Sequence, residues 1–284
     1  MTDLLEVWRE RLELELHNTL RERRMPQGLK AAMEYALFPG GKRLRPLLTI
    51  ASCVGSGGNA SEALVGAAAV ELVHCYSLVH DDMPEMDNSP TRRGRASLHA
   101  AFGQGVALLV GDALLTLGFE LLGDLPPEKA HLCVGILARC AGGEGMVGGQ
   151  YMDMFPARAH QAGEGFADFA LTVARLKTGR LFGAAAGLGW VLGSAHPADF
   201  ENAVSFGEKI GTAFQILDDI EDWTSGEDQG KWEIPAIMST AQCRTVAAGL
   251  IKEALELLRH FPVPEPLEEF VALAIPKDTL DLVL

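Results

Sequence analysis

Apolar residues recur at the spacing of a helix along most of this chain. Between Ala60 and His80, Val65, Leu72, Tyr76 and Val79 fall on one stripe, and similar patterns run over residues 3–24, 103–122, 165–192, 197–222 and 239–261. Extended β-branched alternation bounded by Asn-Gly or Asp-Gly turns is missing, which makes a sheet unexpected. The pattern predicts an all-α fold of roughly ten helices. Glycines and prolines punctuate the helical segments singly or in pairs. The 284 residues carry no low-complexity tract and nothing that reads as a linker, so a single domain over residues 1–284 is expected, with enough apolar content (48%) for a large core.

Two of the periodic segments run into carboxylates. Ala60 to His80 leads into Asp81-Asp82-Met83-Pro84-Glu85-Met86-Asp87, and Pro197 to Leu217 leads into Asp218-Asp219-Ile220-Glu221-Asp222. Carboxylates one helical turn apart repel unless a cation lies between them. A donor set of carboxylates alone suits hard ions. Mg²⁺ in particular takes one or two protein carboxylates and completes its shell with water and substrate phosphates, so a phosphorylated ligand is expected. One such cluster by itself also reads as a solvated helix face or a cap. Pro84 cannot donate a backbone hydrogen bond and would clash one turn back, near His80. The first helix should therefore end or kink inside its own motif, which would swing Asp87 toward Asp81.

The net charge of −14, with no basic run beyond arginine pairs, argues against nucleic acid as a partner. An anionic substrate would have to be held by a few local cations. Cys53, Cys75, Cys133, Cys140 and Cys243 form no CxxC pair and no zinc spacing, which fits reduced, buried thiols. The amino terminus lacks a signal peptide's basic start, and the longest uncharged stretch, Leu181 to Ala195, is shorter than the ~20 residues of a membrane span. A soluble, cytoplasmic protein without a membrane span is expected.

Gly40-Gly41-Lys42-Arg43-Leu44-Arg45-Pro46 sets three cations after a Gly-Gly turn, ahead of a helix whose first turn accepts Pro46. This is either a solvated loop or a diphosphate cradle, and it lacks the Walker spacing. Arg92-Arg93-Gly94 follows the first acidic cluster closely enough to serve the same site, and Arg is favoured where phosphate oxygens are bound bidentately. Lys177-Thr178 interrupts an apolar helix, where the lysine either snorkels or meets a phosphate. His74 is either a core histidine or a phosphate donor. His80-Asp81 has a superficial likeness to the adjacent His-Asp pair of metal phosphohydrolases, but the spacing of their remaining ligands is not identifiable here. No GxSxG elbow is present.

Taken in order, Gly40 to Pro46, Glu71-Leu72-Val73-His74-Cys75-Tyr76-Ser77-Leu78-Val79-His80-Asp81-Asp82-Met83-Pro84 to Asp87, and Arg92-Arg93-Gly94 closely resemble the trans-isoprenyl diphosphate synthases. The match continues through Gly111-Asp112-Ala113-Leu114, Gly149-Gln150-Tyr151-Met152-Asp153, Lys177-Thr178-Gly179 and Phe214-Gln215 to Asp222, and the bacterial-type farnesyl diphosphate synthases look most similar. The resemblance implies a helical bundle around a deep cavity with the two aspartate motifs facing across its mouth. Asp81, Asp82, Asp87, Asp218 and Asp222 match positions that hold about three Mg²⁺ ions on an allylic diphosphate, such as dimethylallyl or geranyl diphosphate. Asp219 belongs to the same catalytic motif. Arg92, Lys177, Thr178 and Gln215 match the remaining allylic ligands, whereas Lys42, Arg45, His74 and Arg93 match the site for isopentenyl diphosphate.

The chemistry so implied is ionisation of the allylic C–O bond, attack by the alkene of isopentenyl diphosphate, and loss of a proton to the departing diphosphate, all in a water-excluding cavity. The family also implies a homodimer, to which apolar helices such as Val106 to Leu122 lend indirect support. Product length turns on Tyr76. Five residues before Asp81 it lies about 7.5 Å deeper along the helix, where its ring either floors the cavity beside small Ser77 or is simply core. A floor there implies farnesyl diphosphate (C15). Geranylgeranyl diphosphate (C20) is the alternative, and a non-catalytic partner subunit is a third reading, disfavoured by two intact aspartate motifs. Members usually carry two lysines after the second motif, whereas here only Lys231 is available, and Ala274-Ile275-Pro276-Lys277 departs from the usual arginine-bearing tail.

Overall fold

The computed structural model describes residues 3–159, 165–194, 196–225 and 234–283. In chain order the helices are α1 (Asp3–Glu22), α2 (Gln27–Leu37), α3 (Leu44–Gly55), α4 (Ala60–Asp81), α5 (Leu98–Phe102), α6 (Gln104–Gly123), α7 (Pro127–Ala141) and α8 (Met146–Met154). They continue with α9 (Pro156–Ala159), α10 (Phe166–Ala174), α11 (Arg180–Gly193), α12 (Glu201–Ser225), α13 (Ile234–Ile237), α14 (Thr240–Leu257), α15 (Glu265–Ala274) and α16 (Lys277–Leu280). A π-helical turn, Arg175–Gly179, joins α10 to α11. The fold is all-α, as the periodicity predicts. There are more helices than the sequence suggests because turns as short as α9, α13 and α16 are too brief to show a period.

α11 is the innermost helix. Every residue from Leu181 to Leu192 is buried, and a helix that is apolar all round belongs inside a core. It packs on α3, α4, α7 and α12. α12 is one-sided by contrast. Phe206, Ile210, Ala213, Leu217 and Ile220 are buried at three- and four-residue intervals against α11 and α14, while its other face carries the carboxylates. α4 starts on a capping box, with Asn59 accepting from the Ser61 amide while Glu62 accepts from the Asn59 amide, and it packs on α3, α6 and α11. The buried side chains of these helices form one continuous cluster.

Three local expectations met different outcomes. α4 does end inside its acidic motif, at Asp81. The chain then turns back so that the Asp87 amide donates to the Asp81 carbonyl at 2.9 Å. The second acidic helix begins at Glu201, later than Pro197. A small antiparallel ladder, β1 (Thr91–Arg92) with β2 (Arg95–Ala96), was not expected. It closes on Arg93 and Gly94, both at positive φ, the geometry of a type I′ hairpin turn, with Arg93 where Asn or Asp is usual.

The uncharged-run criterion for a membrane span also needs correction. By length and composition α4 and α6 would both be long and apolar enough to cross a bilayer, and the acidic residues they carry concealed this. Both instead pack within the helical body, α4 against α3 and α11 and α6 against α4.

Candidate active site

The carboxyl end of α4 and the hairpin that follows form one wall. Arg92, on β1, reaches back to Asp82 with Nη2 at 2.6 Å and Nε at 3.1 Å from Oδ1, so two residues assigned from sequence to metal and to substrate pair with each other here. Asp82 is almost wholly buried, and this hydrogen bond, against the cost of burial, raises the pKa of Arg92. Across from them, Lys177 projects from the π turn and binds Asp153 of α8 at 2.5 Å. Burial works against the charge of Lys177. Asp153, Asp81 and Asp87 outweigh it, and the lysine pKa is raised. Asp81 itself is pushed up to about 6, first by burial and then by Asp87 and Asp82, with Lys177 and Arg92 opposing.

A second charged group gathers at the amino end of α3. The Asp218 carboxyl is raised by burial and by Asp222 and Glu221, and Lys42 and Arg45 pull it the other way. Arg45 lies 4.7 Å from the centre of the Phe182 ring, its Nη1 is 3.4 Å from His74 Nε2, and burial lowers its pKa to about 10. The buried Nε of Arg45 has no hydrogen-bond partner among the described residues. Burial, then Arg45, Arg93, Arg43 and Arg92, hold His74 well below its ordinary range, so its ring is neutral and keeps one N–H to donate. Lys42 is exposed, whereas Arg43 turns inward, so the loop presents two cations to the site rather than three.

The π turn links the two groups. Thr178 donates to Gln215 at 2.7 Å, and Gln215 donates in turn to Asp219 at 2.6 Å, which ties the turn to the second acidic motif. π turns are common at functional sites because they break the regular helical face. Gly149 of α8 allows this one, since a Cβ there would overlap the Lys177 backbone. Tyr76 is 7% exposed, edge-on to His80 with ring centres 5.7 Å apart, and its phenol is raised to about 12 by burial and by Asp81. Ser77 donates to the His74 carbonyl at 2.8 Å. Lys231 lies outside the described residues.

The sequence did not single out Asp153, Glu71 or Phe182 for the site. Asp153 and Glu71 carried a signal, their places in the Gly149 to Asp153 and Glu71 to Asp87 segments; Phe182 reaches the site only through a contact distant along the chain. Among the described residues, no three carboxylate, histidine or cysteine groups stand close enough to hold an ion by themselves. A hard ion bound here would have to complete its shell with phosphate oxygens and water.

This architecture is the all-α fold of the isoprenoid synthases. The Polyprenyl synthetase family model matches residues 26–233, and the chain belongs to that family. A chloroplastic geranylgeranyl pyrophosphate synthase of Catharanthus roseus is 37% identical over 270 residues, covering 88% of this chain and 73% of its own. An apo FPP/GFPP synthase from Zymomonas mobilis superposes with a TM-score of 0.84 at 32% identity, covering 97% of this chain and all of that one (100%). A geranyltransferase from Helicobacter pylori, solved with magnesium and isoprenyl diphosphate, gives 0.79 at 27% identity, covering 100% of this chain and 98% of that one. The chain is a prenyltransferase.

Because the folded-state pKa of Asp81 lies above that of an unfolded aspartate, its ionised form destabilises the fold above about pH 6, and the penalty fades as pH falls toward the unfolded value. In metal-free protein Asp81→Asn is expected to raise thermal stability at neutral pH by on the order of 1 kcal/mol, with the gain shrinking near about pH 4.5. Melting curves in chelator across that range check it; a lower melting temperature for the variant at neutral pH would refute the cost of the ionised, buried carboxylate.

Proposed function

We propose that the chain condenses isopentenyl diphosphate with dimethylallyl and geranyl diphosphates. The observation that carries this is the separation of the cations into two groups, one beside each acidic motif: Arg92 and Lys177 with Asp81, Asp82 and Asp87, and Lys42 and Arg45 with Asp218, beside His74 and Arg93. A single diphosphate would need only one of them.

In this reading Asp81, Asp82, Asp87, Asp218 and Asp222 would hold Mg²⁺, which would neutralise charge on the leaving diphosphate. Arg92 and Lys177 bind the same diphosphate, each preset by its carboxylate partner. Thr178 and Gln215, fixed by their mutual hydrogen bond and by Asp219, hold the reacting end of the allylic chain. Arg45, Lys42, Arg93 and neutral His74 hold the second diphosphate so that its alkene faces the allylic carbon. The apolar faces of α4 and α11 exclude water from the carbocation, and the departing diphosphate takes the proton. Asp218→Ala is expected to lower turnover by about 10²-fold or more with the helical circular dichroism retained, and chelation to abolish turnover of the wild type. Unchanged turnover in Asp218→Ala would remove the second motif from the reaction.

Farnesyl diphosphate as main product is supported by Tyr76, a buried ring one turn and a half before the acidic motif. Geranylgeranyl diphosphate is supported by the names of relatives such as the Catharanthus roseus protein. Chromatography of dephosphorylated products is expected to give C15 from the wild type and C20 or longer from Tyr76→Ala. Wild-type C20, or an unaltered product from the variant, would take Tyr76 out of the floor.

We further propose a homodimer across α6, whose outward Leu108 and Leu109 are 47% and 60% exposed in the single chain. Light scattering is expected to give twice the 30.5 kDa of one chain, and the monomer mass would count against it.

A further inference from the structure

Between Lys42 and Arg45 lies a cation that faces the other way. The Arg43 side chain is 1% exposed, and its guanidinium is bound by groups from three separate elements. It makes a short ion pair with Glu71 of α4, donates to Glu13 of α1 from Nε at 2.7 Å and from Nη2 at 3.2 Å, and donates to the Leu37 carbonyl at the end of α2 from Nη2 at 2.8 Å. Burial opposes the charge, but Glu71 and Glu13 overcome it and the arginine pKa is raised.

The backbone of Arg43 is left-handed, at φ 53°, a conformation that a long side chain keeps only where its surroundings hold it. Gly40 leaves room for this fold-back, because a Cβ there would overlap the Arg43 guanidinium. Gly41 performs a parallel service for Arg93, whose Nη2 would lie 3.0 Å from a Cβ at that position. The Gly-Gly pair is thus a platform for two arginine side chains. With Arg43 pinned inward, the reversal at residue 43 sets the direction in which Lys42 leaves the loop and the point at which α3 begins, and hence the position of Arg45.

We propose that Arg43 is a positioning residue for the isopentenyl diphosphate subsite, acting through the Glu71 and Glu13 pairs to fix where Lys42 and Arg45 stand. This rests on the reading that Lys42, Arg45, His74 and Arg93 bind that substrate. Arg43 touches no substrate itself, and α1 enters the argument only through Glu13. Loosening the anchor therefore acts on one substrate's binding and spares the other's.

Steady-state kinetics of the full chain with Mg²⁺, varying each substrate separately, test this. Arg43→Met is expected to raise the KM for isopentenyl diphosphate about tenfold or more while the KM for geranyl diphosphate stays within about twofold, and Arg43→Lys should recover part of the loss. Glu13→Gln, which weakens only the half-buried outer partner, should raise the same KM about two- to fivefold at a near wild-type melting temperature, and it decides the matter if Arg43→Met does not fold. A fall in melting temperature or in active fraction, with both KM values unchanged in Glu13→Gln and Arg43→Lys, would make Arg43 a packing residue and overturn the proposal. Lys42→Ala distinguishes the positioning role of Arg43 from the subsite assignment. If it raises the isopentenyl KM and the Arg43 variants do not, only the positioning role fails; if it raises the allylic KM alone, the subsite reading fails.

Discussion

Carboxylates brought together at the ends of two packed helices have to be offset by charge arriving from elsewhere in the fold, and much of the site's construction answers that need. α4 and α12 both pack on α11, and their packing brings Asp81 and Asp218 into partly buried surroundings where ionisation is disfavoured. Arg92 follows the first motif closely, but other cations that answer the carboxylates come from elements distant in sequence: the π turn for Lys177, the loop before α3 for Lys42 and the first turn of α3 for Arg45. Even so, Asp81 keeps a raised pKa, so the offset is partial until further positive charge arrives.

The cations are themselves held at a distance from neutrality. Lys177 has Asp153, Arg92 has Asp82, and Arg45 is left with an aromatic ring, a neutral histidine and an unpartnered Nε. The first two are poised by carboxylates that lower the cost of keeping them charged while buried. Arg45 has no such carboxylate partner within hydrogen-bond reach among the described residues, and burial disfavours its charge, so an anion beside it would offset that cost. The two cation groups thus differ in kind, one already paired and one waiting.

Much of this was legible from residue order. The periodicity located α4 and α12, Pro84 announced the end of α4, and Lys177 and Arg92 stand near Asp81 while Lys42 and Arg45 stand near Asp218. What escaped was whatever depends on contacts distant in sequence. Nothing in Lys42-Arg43-Leu44-Arg45 distinguishes the inward cation from the outward ones, because the distinction is made by Glu13 and Glu71, 30 and 28 residues away. The hairpin at Arg93-Gly94 is two residues per strand, below the length at which alternation can appear. The π turn is invisible to a period search, since one widened turn leaves the apolar pattern on either side intact.

That widened turn also sets the phase between α10 and α11. Its hydrogen bonds close over five residues instead of four, so the helix on one side is rotated by about 100° relative to where a regular continuation would place it. The face of α10 that packs on α8 and the face of α11 that packs on α12 are therefore matched through a single local dislocation. Chain length within Arg175–Gly179 is correspondingly fixed. Losing one residue there would restore an unbroken α-helix and turn one of the two packed faces toward solvent, whereas a change of side chain at the same positions leaves the phase alone.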